Sequence, residues 1–157
     1  MYKRQALSLL DEMRESGVTP NVISFSAAIS ACEKAGQWER ALSLVDEMRE
    51  RGVTPDVISF NAAISACKKA GQWERALSLL HEMRERGVTP NVISFNAAIS
   101  ACEKSGQWQQ ALSLLEEMRK GGVTPNVISF NKAISVCEKG GQWERACLLY
   151  TSPSPRD

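Results

Sequence analysis

Apolar side chains at Val22, Phe25, Ala28, Ile29 and Cys32 follow the i, i+3, i+4, i+7 spacing that gathers one face of an α-helix. Gly36 comes next as a left-handed cap, and Trp38, Ala41, Leu42, Val45 and Met48 form a second apolar stripe. That second helix is expected to end at Gly52. Thr54-Pro55-Asp56 then supplies a turn whose Asp caps the following helix, a place taken by Asn in later copies. Glu47 with Arg51 and Glu82 with Arg86 stand four apart in the favourable order, each pair adding about 0.2 to 0.5 kcal/mol.

The alternation returns with a period of 35: residues 22–56, 57–91 and 92–126 align without a gap. The first two copies differ at five positions and the second and third at seven. Residues 1–21 match the second half of a copy, and 127–146 begin another. A two-helix hairpin is too small for its own core, so stability has to come from stacking hairpin on hairpin. Connections of three to five residues leave no room for strands, which excludes propellers and leucine-rich repeats. The expected fold is an all-α solenoid of antiparallel helix-turn-helix repeats.

After Ala146 the register fails, and Cys147 to Asp157 reads C-L-L-Y-T-S-P-S-P-R-D. Pro153 and Pro155 cannot continue a helix. This segment resembles the in-frame translation of a transposon-end sequencing adaptor. With both ends cutting through a copy, the chain is expected to be a piece of a longer array that lacks capping repeats and any transit peptide.

Lysine and arginine total 19 against 18 acids in 157 residues, so the formal charge of +1 gives little long-range pull on a polyanion. Any grip on nucleic acid must come from local placement. No stretch approaches about 18 consecutive apolar residues, so no membrane span is expected. Cys32, Cys67, Cys102 and Cys137 recur at one repeat position and are read as reduced core thiols, because stacked helices lie about 10 Å apart and a disulfide needs Cα atoms within about 7 Å. The single histidine, His81, stands where other copies carry Asp11, Asp46 and Glu116, a solvated face. No metal set, nucleophile pair, phosphate-cradling glycine loop or deaminase signature accompanies it. No catalytic residue, metal, cofactor or small-molecule substrate is therefore expected.

Trp38, Trp73, Trp108 and Trp143 could be imagined as a base-stacking ladder, but each opens a second helix on its apolar stripe and is expected to pack between helices. Phe25, Phe60, Phe95 and Phe130 lie likewise on the first-helix core face. More informative are positions that vary without disturbing the core. The fifth residue of each copy is Ser26, Asn61, Asn96 or Asn131, and the last is Asn21, Asp56, Asn91 or Asn126. Ser and Asn donate and accept, whereas ionised Asp only accepts, so each fifth/last pair offers a distinct hydrogen-bond face.

Tetratricopeptide repeats run at 34 residues and carry a Trp, Leu-Gly, Tyr pattern that is absent here. The run V-I-S-F-N-A-A-I-S-A-C-K-K-A-G-Q-W-E-R-A-L-S-L-L-H-E-M-R-E-R-G-V-T-P-N, Val57 to Asn91, instead resembles the pentatricopeptide repeat of organellar RNA-binding proteins, through residue 146 or so. The resemblance implies a right-handed superhelix that binds single-stranded RNA, one nucleotide per repeat, in a mitochondrion or chloroplast. It also implies that the fifth and last residues read the base, that Ile23, Ile58, Ile93 and Ile128 sandwich it, and that Lys34, Lys69, Lys104 and Lys139 reach phosphates. In the family's code Ser26 with Asp56 reads guanine. Asn61 with Asn91, and Asn96 with Asn126, read cytosine in preference to uracil. The footprint is then 5′-G-Y-Y, with Asn131 adding a further pyrimidine. The competing expectation is a scaffold that binds a peptide or protein in the same groove. An editing or nuclease activity would need an appended catalytic domain.

Overall fold

The computed structural model describes residues 2–141, with side chains from residue 8 onward. Trp143 and the segment from Cys147 to Asp157 lie outside the described residues. Among those described there are eight α-helices and no strand: α1 Tyr2–Glu15, α2 Val22–Lys34, α3 Trp38–Glu50, α4 Val57–Lys69, α5 Trp73–Glu85, α6 Val92–Glu103, α7 Trp108–Lys120 and α8 Val127–Lys139. Each copy folds as one hairpin, a first helix (α2, α4, α6) followed by a second (α3, α5, α7). The link between copies, residues 51–56, is one residue longer than expected.

Helix ends follow from the glycines. The N–H of Gln37 reaches the Cys32 carbonyl at 2.8 Å and that of Gly36 reaches Glu33 at 3.2 Å, the paired closure of a Schellman motif. Val53 to Met48 (2.8 Å) and Gly52 to Arg49 (3.1 Å) repeat it at the second helix. Both geometries need a left-handed residue, and Gly36 (φ +72°) and Gly52 (φ +74°) supply it. Gly87, at φ +77° with open space around the place a Cβ would take, isolates this conformational term. Gly87→Ala should therefore cost about 1 to 2 kcal/mol in urea denaturation, wholly through backbone strain. An unchanged midpoint would show that the turn tolerates other conformations.

The core is one continuous cluster. Phe25, Phe60, Phe95, Ile29, Ile64 and Ile99 are buried, with Ala41, Cys32 and Met48 and their counterparts in the next two copies, while Leu42, Leu77 and Leu112 are half-buried at its margin. Leu44, Leu79 and Leu114 join it, although they lie off the stripe expected for the second helix. Trp38, Trp73 and Trp108 do pack against this core but at its edge, half-buried, and Phe130 is half-buried beneath Arg119, whose guanidinium is 5.6 Å from the ring centre. Cys32, Cys67, Cys102 and Cys137 are buried, and none is in a disulfide. Burial pushes the Cys67 and Cys102 thiols up to about 11 and about 12, so both stay protonated and unreactive near neutrality. His81 is exposed, 3.5 Å from Glu85.

Successive first helices pack backbone to backbone, whereas each second helix lies close to the first helix of the next copy and, among the described residues, reaches the neighbouring second helices only through long side chains. The chemistry explains the asymmetry. First helices carry Ala, Ser and Cys on their flanks and can approach closely; second helices are spanned by long side chains, with Arg14 bonded to Glu47, Arg49 to Glu82 at 2.8 Å, and Arg84 to Glu117. A stack tight on one side and splayed on the other curves toward the tight side. The first helices therefore line the inside of the curve.

Candidate nucleic-acid interface

Each first helix begins at a capped N-terminus. Asn21, Asp56, Asn91 and Asn126 have extended backbones, and each side-chain Oδ1 accepts the N–H of the serine three residues on: Ser24 (3.0 Å), Ser59 (2.9 Å), Ser94 (3.0 Å) and Ser129 (3.0 Å). At Asn21, Asn91 and Asn126 the serine hydroxyl also accepts the cap residue's own N–H, completing a capping box. These bonds fix the orientation of the amides, because the atom facing a backbone N–H has to be the oxygen. In each asparagine cap Nδ2, and in Asp56 Oδ2, is consequently the atom left for other partners.

The same serines join consecutive copies. Asn61 Nδ2 donates to Asn91 Oδ1 (3.2 Å), and Ser94 Oγ donates to Asn61 Oδ1 (2.5 Å). Asn96 donates likewise to Asn126 (3.3 Å) and accepts from Ser129 (2.5 Å). In the first full copy the pair is linked at one remove: Ser26 Oγ lies 2.7 Å from Ser59 Oγ, which lies 2.8 Å from Asp56 Oδ1. A carboxylate is the strongest acceptor in that chain, so Ser59 gives its proton to Asp56 and Ser26 gives its own to Ser59. The fifth and last residues thus meet across 30 positions of sequence in the two asparagine copies, and in the first full copy Ser59 stands between them. The bridging serines were missed. Ser59, Ser94 and Ser129 are fully buried, and their recurrence three residues after a cap was the available signal.

Copy by copy the exposed chemistry differs. Ser26 with Asp56 shows acceptors, the carboxylate Oδ2 and the Ser26 lone pairs. Asn61 with Asn91 shows amide donors, since Asn91 Oδ1 is already occupied by the Ser94 N–H and by Asn61. Asn96 with Asn126 repeats the donor pattern, although Asn96 is buried. Asn131 and Asn21 are both exposed.

Beside these polar pairs stand large apolar groups in water. Ile23 is 73% exposed, Ile58 and Ile93 are 61% and Ile128 is 50%, one per copy at the second helical position. Burying an exposed isoleucine is worth about 1.5 to 3 kcal/mol, so a row of them is costly unless a ligand covers it.

The lysines behave less uniformly than expected. Lys69 forms an ion pair with Glu33 of the preceding copy, and Lys139 one with Glu103 at 3.2 Å. Lys104 donates to the Lys69 carbonyl at 2.7 Å. Lys34 is on the exposed end of α2. Lys69, Lys104 and Lys139 thus bridge consecutive copies. No group of three metal-binding side chains occurs among the described residues, and no helix there is long and apolar enough to cross a membrane.

Comparison with family models matches the pentatricopeptide repeat domain over residues 2–35, 43–105 and 78–139, and a single PPR repeat over 23–53. Comparison with curated proteins gives no match. Among solved structures, the pentatricopeptide repeat protein PPR10 in complex with an 18-nt psaJ RNA element is 29% identical, with a TM-score of 0.78 over 98% of this chain and 22% of that one. A structure of PPR10 from maize gives 0.73 at the same 29% identity, over 95% of this chain and again 22% of that chain. The PPR domain of Arabidopsis thaliana protein-only RNase P 1, in complex with tRNA, is 19% identical with a TM-score of 0.78 over 98% of this chain and 85% of that one, a likeness of fold.

Proposed function

The chain belongs to the pentatricopeptide repeat family, and on that premise we propose that it binds single-stranded RNA in the groove of its first helices, one nucleotide per repeat, without cleaving it. The observation that carries this reading is the recurring unit of a serine-bridged polar pair next to an exposed isoleucine, repeated every copy along one face. A base has an apolar face and a polar edge. Stacked between Ile58 and Ile93, it would cover both isoleucines while its edge meets Asn61 and Asn91. A duplex hides both the faces and the edges, so an unpaired strand is the ligand that fits.

The electronic complement of each pair suggests the footprint. The acceptors of Ser26 and Asp56 match the adjacent N1–H and N2–H donors of guanine. The donors of Asn61 with Asn91, and of Asn96 with Asn126, match the acceptors of a pyrimidine. With the amino end toward the 5′ side, the footprint is 5′-G-Y-Y, extended by another pyrimidine at Asn131, and the family places such a protein in a mitochondrion or chloroplast.

The test is a titration of the chain with labelled oligonucleotides at physiological salt. Three full copies offer few bases and association itself costs several kcal/mol, so micromolar affinity is expected for a 5′-G-C-C target, about −8 kcal/mol. Equal affinity for an adenine tract or for duplex RNA would overturn the reading, and capture of peptides instead would favour a protein scaffold.

A further inference from the structure

One junction between copies departs from the others. The residue before the conserved lysine is Glu33, Glu103 or Glu138 in three copies and Lys68 in the copy spanning 57–91. Elsewhere that glutamate holds the lysine of the next copy, as Glu33 holds Lys69 and Glu103 holds Lys139. Lys104 has no such carboxylate and turns to the Lys69 carbonyl. A second departure arrives from the next helix but one, where Lys132 replaces the alanines at 27, 62 and 97. It lies near enough to Lys68 and to Glu103 for charge to be felt at both.

Lys68, Lys69, Ser100, Glu103, Lys104 and Lys139 line a cleft of about 300 Å³; Lys132 is not in this lining, but its charge reaches Lys68 and Glu103. A water takes about 30 Å³, so a hydrated phosphate fits. The cleft's one lining carboxylate, Glu103, is already matched by Lys139 and by the Ser135 hydroxyl at 2.6 Å, and the nearby Glu33 is matched by Lys69. Lys68, Lys104 and Lys132 remain without an ion pair among the described residues, a local excess of positive charge in a chain of net charge +1. Burial lowers the Lys68 pKa, and repulsion from Lys132 and Lys69 lowers it further against the opposing attraction of Glu33.

We propose that this cleft is a phosphate site peculiar to the junction of the 57–91 and 92–126 copies, where Lys68 and Lys104, with the charge of Lys132 added from α8, hold one backbone phosphate more firmly than any other copy can. The assignment to an RNA phosphodiester rests on the RNA-binding reading above; the affinity for a phosphate group does not. Positions 61, 65 and 68, like 96, 100 and 103, follow the three-and-four spacing of one helix face. The cleft therefore lies on the same inner face as the base-reading pair, about 10 Å farther along the helix axis. A strand whose bases sit at the helix starts can lay its backbone there.

The test uses two substitutions that restore residues present in sister copies, Lys68→Glu and Lys132→Ala, so folding is preserved and unchanged thermal melting verifies it. Inorganic phosphate titrated at low salt should shift amide resonances of 68, 104 and 132 in the wild-type chain and leave them still in the double variant. RNA binding by the double variant should lose about 0.7 from its log-log salt slope per phosphate contact removed. If phosphate moves none of these resonances in the wild type, or moves them equally in the double variant, the site is refuted whatever RNA does. If phosphate binds as expected but the wild-type chain takes up no RNA, the anion site stands and the RNA reading fails. An unchanged salt slope with intact RNA binding would remove the backbone phosphate as its occupant.

Discussion

Phe60→Ala should destabilise the chain by about 3 to 5 kcal/mol, the usual consequence of deleting a fully buried aromatic ring. Phe60 has no exposed surface and stands in the middle of the stack, in the helix that packs on both α2 and α6. Solenoid stability is a sum of repeats and their nearest-neighbour interfaces, so a cavity in α4 weakens two interfaces together. Against a typical total of about 5 to 15 kcal/mol, such a loss removes a large share of the stability. Urea denaturation followed by circular dichroism measures it, and a loss below about 1 kcal/mol would mean the stack closes over the missing ring. Trp73→Ala is the comparison, expected to cost clearly less because Trp73 is half-exposed at the core edge.

The fold was legible because every physical constraint repeats. Gly36 and Gly52 mark helix ends by the left-handed geometry they alone allow without strain, and Asp56 or Asn91 marks a start by its capping oxygen. Leu44 was missed because the expected second-helix stripe served a helix packed on one side only. In the stack, α3 is pressed by α2 and by α4, and its buried face is wider than one stripe. The tryptophans pack on the expected side but only at the core edge, because periodicity gives the side of a helix, not how far along it the neighbouring helix extends.

At the candidate site, the residues that vary between copies were legible and those that do not vary were hidden. Ser26, Asn61 and Asn96 stood out by their differences. Ser94 and Ser129, which tie those residues to the next cap, are invariant and look like ordinary helix-start serines. The lysines show the opposite failure. Each was read as one isolated charge per copy, whereas the partner of Lys69 is Glu33, 36 residues earlier, and only stacking brings the two together.

Converting Ser26 and Asp56 both to asparagine should change the first base preference from guanine to cytosine, by about 1 to 3 kcal/mol of discrimination, the usual worth of a base-edge contact. In the wild-type pair, Asp56 spends Oδ1 on the Ser59 N–H at 2.9 Å and on the Ser59 hydroxyl at 2.8 Å. Its other oxygen can only accept, and a guanine edge brings two adjacent donors to it. With asparagine at 56 the amide oxygen still caps α4, as Asn91 and Asn126 cap α6 and α8, but the outward atom becomes Nδ2, a donor. Guanine's N1–H and N2–H then face N–H groups, and unpaired donors in a partly buried site cost about 1 to 3 kcal/mol. Cytosine, with N3 and O2 as acceptors, meets the same donors favourably. Asparagine at 26 completes the exchange, since Asn61 and Asn96 show that Nδ2 at this position bonds the next cap directly. Stability should hardly move, because the double variant copies an arrangement the chain already contains twice. The comparison is best made in an array lengthened with additional repeats, titrating 5′-G-C-C and 5′-C-C-C targets side by side. Retention of the guanine preference by the double variant would show that these two side chains do not touch the base edge, and the assignment of Asn61, Asn91, Asn96 and Asn126 would fall with theirs.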